Sequence, residues 1–241
     1  MKPRVVVFQH VDFCPLAMVG DGLAKDLIDP TIVRLDKGEA VPVLTDFDIM
    51  IVLGGPMDVW QEKENPWLVP EKTAIREWVE DGDKPFLGIC LGHQLLADAL
   101  GGKVALAKKP EVGVLDIKIE QQHPLLDGFG TSKRAIQWHG AEVTRVPPAA
   151  KILASTPGCP IAAFQAGSSA FGIQYHVEAT DELAYAWGAT PGGQTMLELA
   201  NGAGSRGRVL REVEDAMPEL RANATRFYNN FMAVAQERLR H

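Results

Sequence analysis

The first half of the chain alternates short β-branched, apolar runs with stretches whose apolar residues recur at helical spacing. That is the pattern of βαβ units on a parallel sheet. Residues 4–8 predict a first strand, a helical stretch around 22–28 follows, and 31–35 predict a second strand. Residues 48–53 are almost continuously apolar and end in Gly54-Gly55-Pro56, the profile of a central strand buried on both faces. Ala74, Ile75, Trp78 and Val79 place a helix over 66–80. Residues 85–89 predict another buried strand, running into a helix over 91–100 with Leu91, Leu95, Leu96, Ala99 and Leu100 on one face and Gly101-Gly102 as its stop.

Beyond that helix the pattern changes to strands joined by Gly/Pro turns, predicted at 112–119, 134–138, 151–154, 161–165 and 170–177. Residues 181–241 read as helical, with breaks at Pro191-Gly192-Gly193 and before Pro218. The glycine-rich 202–207 stretch reads as a helix–helix connection, since it lacks the G-x-x-x-x-G-K-[ST] pattern of a phosphate loop. No Ser/Pro/Gly-rich linker divides the chain. The expectation is therefore one α/β domain over 1–241, with a mostly parallel central sheet between helical layers over about 4–180 and a helical C-terminal flank over about 181–241.

Composition removes several function classes. Of 241 residues, 46% are hydrophobic and 23% charged, an ordinary globular balance. The net charge of −7 argues against a nucleic-acid partner, which calls for a basic face. No apolar run approaches the roughly 20 residues that span a bilayer. The N-terminal apolar run is too short for a secretory signal and reads as the first strand. Cys14, Cys90 and Cys159 are odd in number and lack metal-type spacing, which points to free thiols in a reducing, cytoplasmic setting.

One thiol stands in a special context. Gly88-Ile89-Cys90-Leu91-Gly92 is a thiol version of the G-x-S-x-G elbow, with an apolar strand before it and an amphipathic helix after it. Both glycines are expected for steric reasons, because the elbow brings neighbouring backbone close. A helix N-terminus favours a thiolate, and the N–H of Leu91 can face an oxygen that gains negative charge. Cys14 and Cys159 have no such setting.

A thiol nucleophile needs a histidine and a group to orient it. His241 is terminal, His123 precedes a proline in a polar loop, and His93 follows Cys90 on its own helix and would project away from the thiol. In residues 171–178, Phe171, Ile173, Tyr175 and Val177 alternate with Gly172, Gln174, His176 and Glu178, so period two puts His176 and Glu178 on one face of a strand end. His10, Asp12 and Cys14 follow the first strand at a sheet edge where α/β sites gather and could line the pocket, but they read first as a polar loop.

Together these segments resemble the class I (triad) glutamine amidotransferases, most nearly the amidotransferase domain of GMP synthase and its stand-alone relatives, which have a flavodoxin-like fold. Residues 52–57 (Val-Leu-Gly-Gly-Pro-Met) resemble the glycine-rich loop of that family, and 88–94 its nucleophile motif. Trp138-His139-Gly140 resembles the segment flanking the glutamine pocket, and 171–178 its His-x-Glu strand. The resemblance implies a Cys90–His176–Glu178 triad and an oxyanion hole from the N–H groups of Gly55 and Leu91. It implies substrate contacts at Gly54, Gln94, His139 and Gly140, and a pocket carboxylate at Glu111. Val177 stands where the family often has proline, and Ala141 and Trp138 depart from the Ser-His-Gly-Asp of GMP synthases.

The implied activity is hydrolysis of a glutamine side-chain amide through a γ-glutamyl thioester, without a metal or organic cofactor. The ammonia would go to a separate synthase subunit. The alternatives are a γ-glutamyl peptidase acting alone and a non-catalytic regulatory module on the same fold. A redox-sensing thiol is a weaker reading, since no resolving cysteine lies nearby in sequence. The aromatic 60–67 loop and the helical tail are candidate partner surfaces.

Overall fold

The computed structural model describes residues 2–240. Its nine strands form one sheet. Five are parallel: β1 (Val5–Gln9), β2 (Thr31–Arg34), β3 (Ile49–Val52), β4 (Phe86–Ile89) and β9 (Ala170–Ile173). Four more extend the sheet with antiparallel pairing: β5 (Lys103–Ile119), β6 (Ser132–Arg145), β7 (Lys151–Ser155) and β8 (Ala163–Ala166). The order is β2-β1-β3-β4-β9-β8-β7-β5-β6, so its parallel portion has the flavodoxin-like 2-1-3-4-5 arrangement.

Period two along the central strands divides the core. Val5, Val7, Ile49, Ile51, Leu87 and Ile89 face one side, against α1 (Ala17–Lys25) and the long C-terminal helix α6 (Arg206–Arg238). Val6, Phe8, Met50, Val52 and Phe86 face the other, against α2 (Leu68–Arg76) and α3 (Leu91–Ala99). α2 continues through a π-helical turn, Glu77–Asp81, that buries Trp78 and Val79. These are the three layers expected from the sequence. Among the described residues no helix is long and apolar enough to cross a membrane.

The C-terminal flank covers the antiparallel end of the sheet. α4 (Asp181–Ala189), α5 (Pro191–Asn201) and the first half of α6 bury Trp187, Leu197, Val209 and Val213 against Val112, Ile136 and Trp138 of β5 and β6. Thr190 ends α4 and caps α5, its hydroxyl accepting from the Gly193 N–H at 3.0 Å, and Pro191 fills the first helical position. Residues 202–205 connect α5 to α6, as the glycine-rich sequence suggested.

Some elements differ from expectation. The break before Pro218 does not occur, and α6 runs through it. A proline inside a helix costs about 3 kcal/mol. Val213, Ala216 and Met217 before it, and Leu220 and Ala224 after it, are buried on one face and hold the helix together. β9 ends at Ile173 rather than 177. The chain leaves β4 there because β4 itself turns at Cys90, and His176 then forms a single antiparallel bridge to Ile136 of β6.

Candidate active site

Cys90 sits between β4 and α3 with φ +53°, ψ −102°, a backbone conformation in which side-chain-bearing residues are strained. The flanking glycines explain how the turn closes. A Cβ on Gly88 would meet the backbone of Gly92 and His93, and a Cβ on Gly92 would meet the carbonyl of Val52. The elbow thus depends on backbone packing between β3, β4 and α3.

The chain from β9 delivers His176 to the same place. Gln174 N donates to Ala162 O at 2.8 Å and His176 N to Ile136 O at 2.8 Å, which steers the segment from β8 across to β6. Tyr175 and Val177 point into the core, whereas His176 and Glu178 face the other way, the alternation expected from the sequence. Nδ1 of His176 lies 2.6 Å from Glu178 Oε1, and Nε2 has no hydrogen-bond partner within bonding distance among the described residues. Cys90 and His176 line one cavity, and a Cβ built on Gly54 would lie 3.6 Å from Cys90 Cβ and 3.3 Å from His176 Cε1. Burial draws the His176 ring down, but the negative charges of Glu178 and Cys90 outweigh it and push the ring up to about 10. An imidazolium beside a sulfur at a helix N-terminus is an arrangement able to attack a carbonyl and protonate a leaving group.

The N–H groups of Gly55 and Leu91 have no acceptor among the described residues. Gln94, His139 and Gly140 line the cavity with Ala141. Gln94 Nε2 donates to Ala141 O at 3.0 Å and Gln174 Oε1 at 3.1 Å, so its amide orientation is fixed. Glu111 departs from the expected pocket carboxylate. It lies behind His139, accepting from Thr156 Oγ1 at 2.7 Å and Gly158 N at 3.1 Å, with His139 Nε2 3.3 Å away. Those bonds, His139 first, overcome burial and hold its pKa low. His93, as expected, turns away. It is buried against Phe164, and burial pushes it down to about 3. His241 lies outside the described residues.

Cys14, one of the residues after β1 that the sequence offered for the pocket, lines a cavity of about 520 Å³ over Cys90, while Phe13 beside it, and Trp187, Thr190, Gly193 and Met196 from α4 and α5, are wall residues without a sequence signal. The polar loop expected at residues 10–14 is split. Asp12 is exposed and pairs with Arg34, while His10 and Cys14 are buried. Burial pushes the Cys14 thiol above its ordinary range.

The profile of the family "Glutamine amidotransferase class-I" matches residues 18–185. The chain belongs to this family. Over 159 residues it is 36% identical to the glutamine-hydrolyzing GMP synthase subunit from Sulfolobus acidocaldarius, covering 65% of this chain and 81% of that one. It is 38% identical over 158 residues to the GMP synthase of Aeropyrum pernix, covering 65% of this chain but only 28% of that protein. The crystal structure of a glutamine amidotransferase from Thermotoga maritima superposes with a TM-score of 0.84 at 25% identity, covering 96% of this chain and 98% of that one. A glutamine amidotransferase from Methylobacillus flagellatus shares the fold at TM-score 0.82 and 23% identity, covering 97% of this chain and 95% of that one. The three-layer α/β domain with its helical flank is thus the class I glutamine amidotransferase architecture, and Trp187 and the α4–α5 wall lie at or beyond the end of the family match.

Proposed function

We propose that the chain hydrolyses the side-chain amide of a γ-glutamyl compound, most simply L-glutamine, with Cys90 as nucleophile. The thiolate attacks the amide carbon while the Gly55 and Leu91 N–H groups bind the oxygen. His176, oriented by Glu178, gives its proton to the departing nitrogen, which leaves as ammonia or an amine, and a γ-glutamyl thioester remains. Water then loses a proton to His176 and adds to the thioester, releasing glutamate and restoring the thiolate. Gln94, His139 and Gly140 contact the glutamyl portion. A single oxyanion donor is worth on the order of 3 kcal/mol.

The observation that carries this reading is the buried His176–Glu178 pair brought to the Cys90 elbow on one cavity. Because the relatives include one named as part of a GMP synthase, the ammonia is assigned to a separate synthase subunit. Three buried, unpaired cysteines fit a cytoplasmic setting. The test is hydrolysis of glutamine and γ-glutamyl dipeptides by the isolated chain and by Cys90→Ser, which should lose at least about a thousandfold in kcat. Full activity in Cys90→Ser abandons the reading.

One observation favours a peptidase as the second use of this site. The leaving nitrogen must lie on the side of His176, and that side is walled by Trp187, whose ring is 4.6 Å from the imidazole, with Phe13 and Trp138 beyond it. An apolar wall suits an amine bulkier than ammonia. Faster turnover of γ-glutamyl-phenylalanine than of glutamine by the chain alone would favour it.

A further inference from the structure

His10 lies immediately after β1 and takes no part in the reaction described above, yet it is wholly buried together with Glu71 of α2. Its Nε2 is 2.8 Å from Glu71 Oε1 and its Nδ1 is 3.1 Å from the carbonyl oxygen of Gly54. The ring stacks on Trp67 at 5.3 Å. None of the three lines the cavity.

A carbonyl oxygen can only accept, so Nδ1 must carry a hydrogen. The shared proton toward Glu71 can sit on either partner, and the Nδ1–H bond to Gly54 is made in both cases. The Gly54–Gly55 peptide is trans, which points its C=O and N–H in opposite directions. With the Gly54 oxygen held against His10, the Gly55 N–H faces away from His10, toward the cavity that Gly55 lines with Cys90. Two successive glycines have the least steric resistance to rotation of the peptide between them. A rotated peptide would present a carbonyl oxygen to the developing oxyanion. A buried ionic pair is weak evidence for stability, and Glu71 Oε2 has no hydrogen-bond partner among the described residues.

We propose that His10, held by Glu71, is a positioning residue that locks the Gly54–Gly55 peptide with its N–H aimed at the reacting carbonyl. This rests on the amide-hydrolysis reading and identifies what keeps its oxyanion site formed.

Two substitutions separate positioning from packing. His10→Gln keeps a donor where Nε2 faced Glu71 and removes the bond to Gly54. His10→Asn keeps a donor where Nδ1 faced Gly54 and leaves Glu71 unpaired. The expected kcat on glutamine or γ-glutamyl-phenylalanine falls about a hundredfold in His10→Gln and less than about tenfold in His10→Asn, with KM little changed. Melting temperatures should run the opposite way, with His10→Asn lower. Alkylation of Cys90 by iodoacetamide displaces iodide and forms no oxyanion, so both variants should react near the wild-type rate. Equal kcat in the two variants, kcat following melting temperature, or parallel loss of alkylation and hydrolysis overturns the proposal. If the wild type hydrolyses neither substrate, the amide-hydrolysis reading fails. A crystal structure of His10→Gln then decides the lock, with a rotated Gly54–Gly55 peptide supporting it and an unmoved one refuting it.

Discussion

His176 Nδ1 and Glu178 Oε1 lie 2.6 Å apart, with both side chains buried. Burial favours the neutral ring, but Glu178, and Cys90 after it, hold the proton on until about pH 10. An ordinary histidine releases it near 6.5. The protonated ring thus persists through neutral pH, and the basic limb of kcat/KM is expected near pH 10. Glu178→Gln removes the largest raising charge and should move that limb down by about 1–3 units. The same raised value stabilises the fold fully below about pH 6.5, a contribution lost as pH rises toward 10. A wild-type limb below about pH 8 contradicts this assignment.

Gly92→Ala tests the steric account of the elbow. The new methyl would meet the Val52 carbonyl, a backbone atom that no side-chain rotation can move. Overpacking of this kind costs about 1–3 kcal/mol or more. In a chain of this size that is a fall of roughly 2–12 °C in melting temperature. Gly192→Ala is the contrast, since nothing lies within 4 Å of its added methyl. It should raise the melting temperature slightly, by entropy of the unfolded chain.

What the sequence revealed and what it concealed follow a physical division. β1, β3, β4 and α3 were legible because burial on both faces, or on one stripe, leaves a local period. The elbow was legible because its glycines answer to neighbours only a few residues away. α1 begins at Ala17, earlier than expected, and its glycines obscured it. Gly22 is small because the Tyr228 ring, from the far end of the chain, packs 2.7 Å from where its Cβ would be. The first half of β5 was missed because Lys103, Lys108 and Lys109 carry no core pattern, and the strand is interrupted between Leu106 and Glu111. His10 stood out only as a residue near the sheet edge, and Glu71 gave no signal, because their meaning arises only when β1, α2 and the Gly54 turn are assembled.

Thr190→Ala should loosen the wall that α5 places over the cavity. It removes the hydroxyl that accepts from Gly193 N, a helix cap typically worth about 1 kcal/mol. The expected result is a melting temperature lower by roughly 2–4 °C. Because Gly193 and Met196 line the cavity, KM should rise more than kcat falls. Unchanged KM alongside the lower melting temperature would separate this cap from the site.

Trp187 supplies the last test, because it joins the C-terminal flank to the reacting centre. Its indole N–H donates to Phe13 O at 2.8 Å, and its ring contacts both His176 and Trp138. Trp187→Ala leaves a large void and should cost about 3–5 kcal/mol. Trp187→Phe keeps a ring and loses chiefly the hydrogen bond, about 1 kcal/mol. If the wall receives an apolar leaving group, Trp187→Ala should lower kcat/KM for γ-glutamyl-phenylalanine about tenfold more than for glutamine, since an aromatic contact and its buried area are together worth roughly 1–3 kcal/mol. Trp187→Phe should retain most of that preference. Equal losses on both substrates would leave Trp187 with a packing role and assign the site to ammonia release.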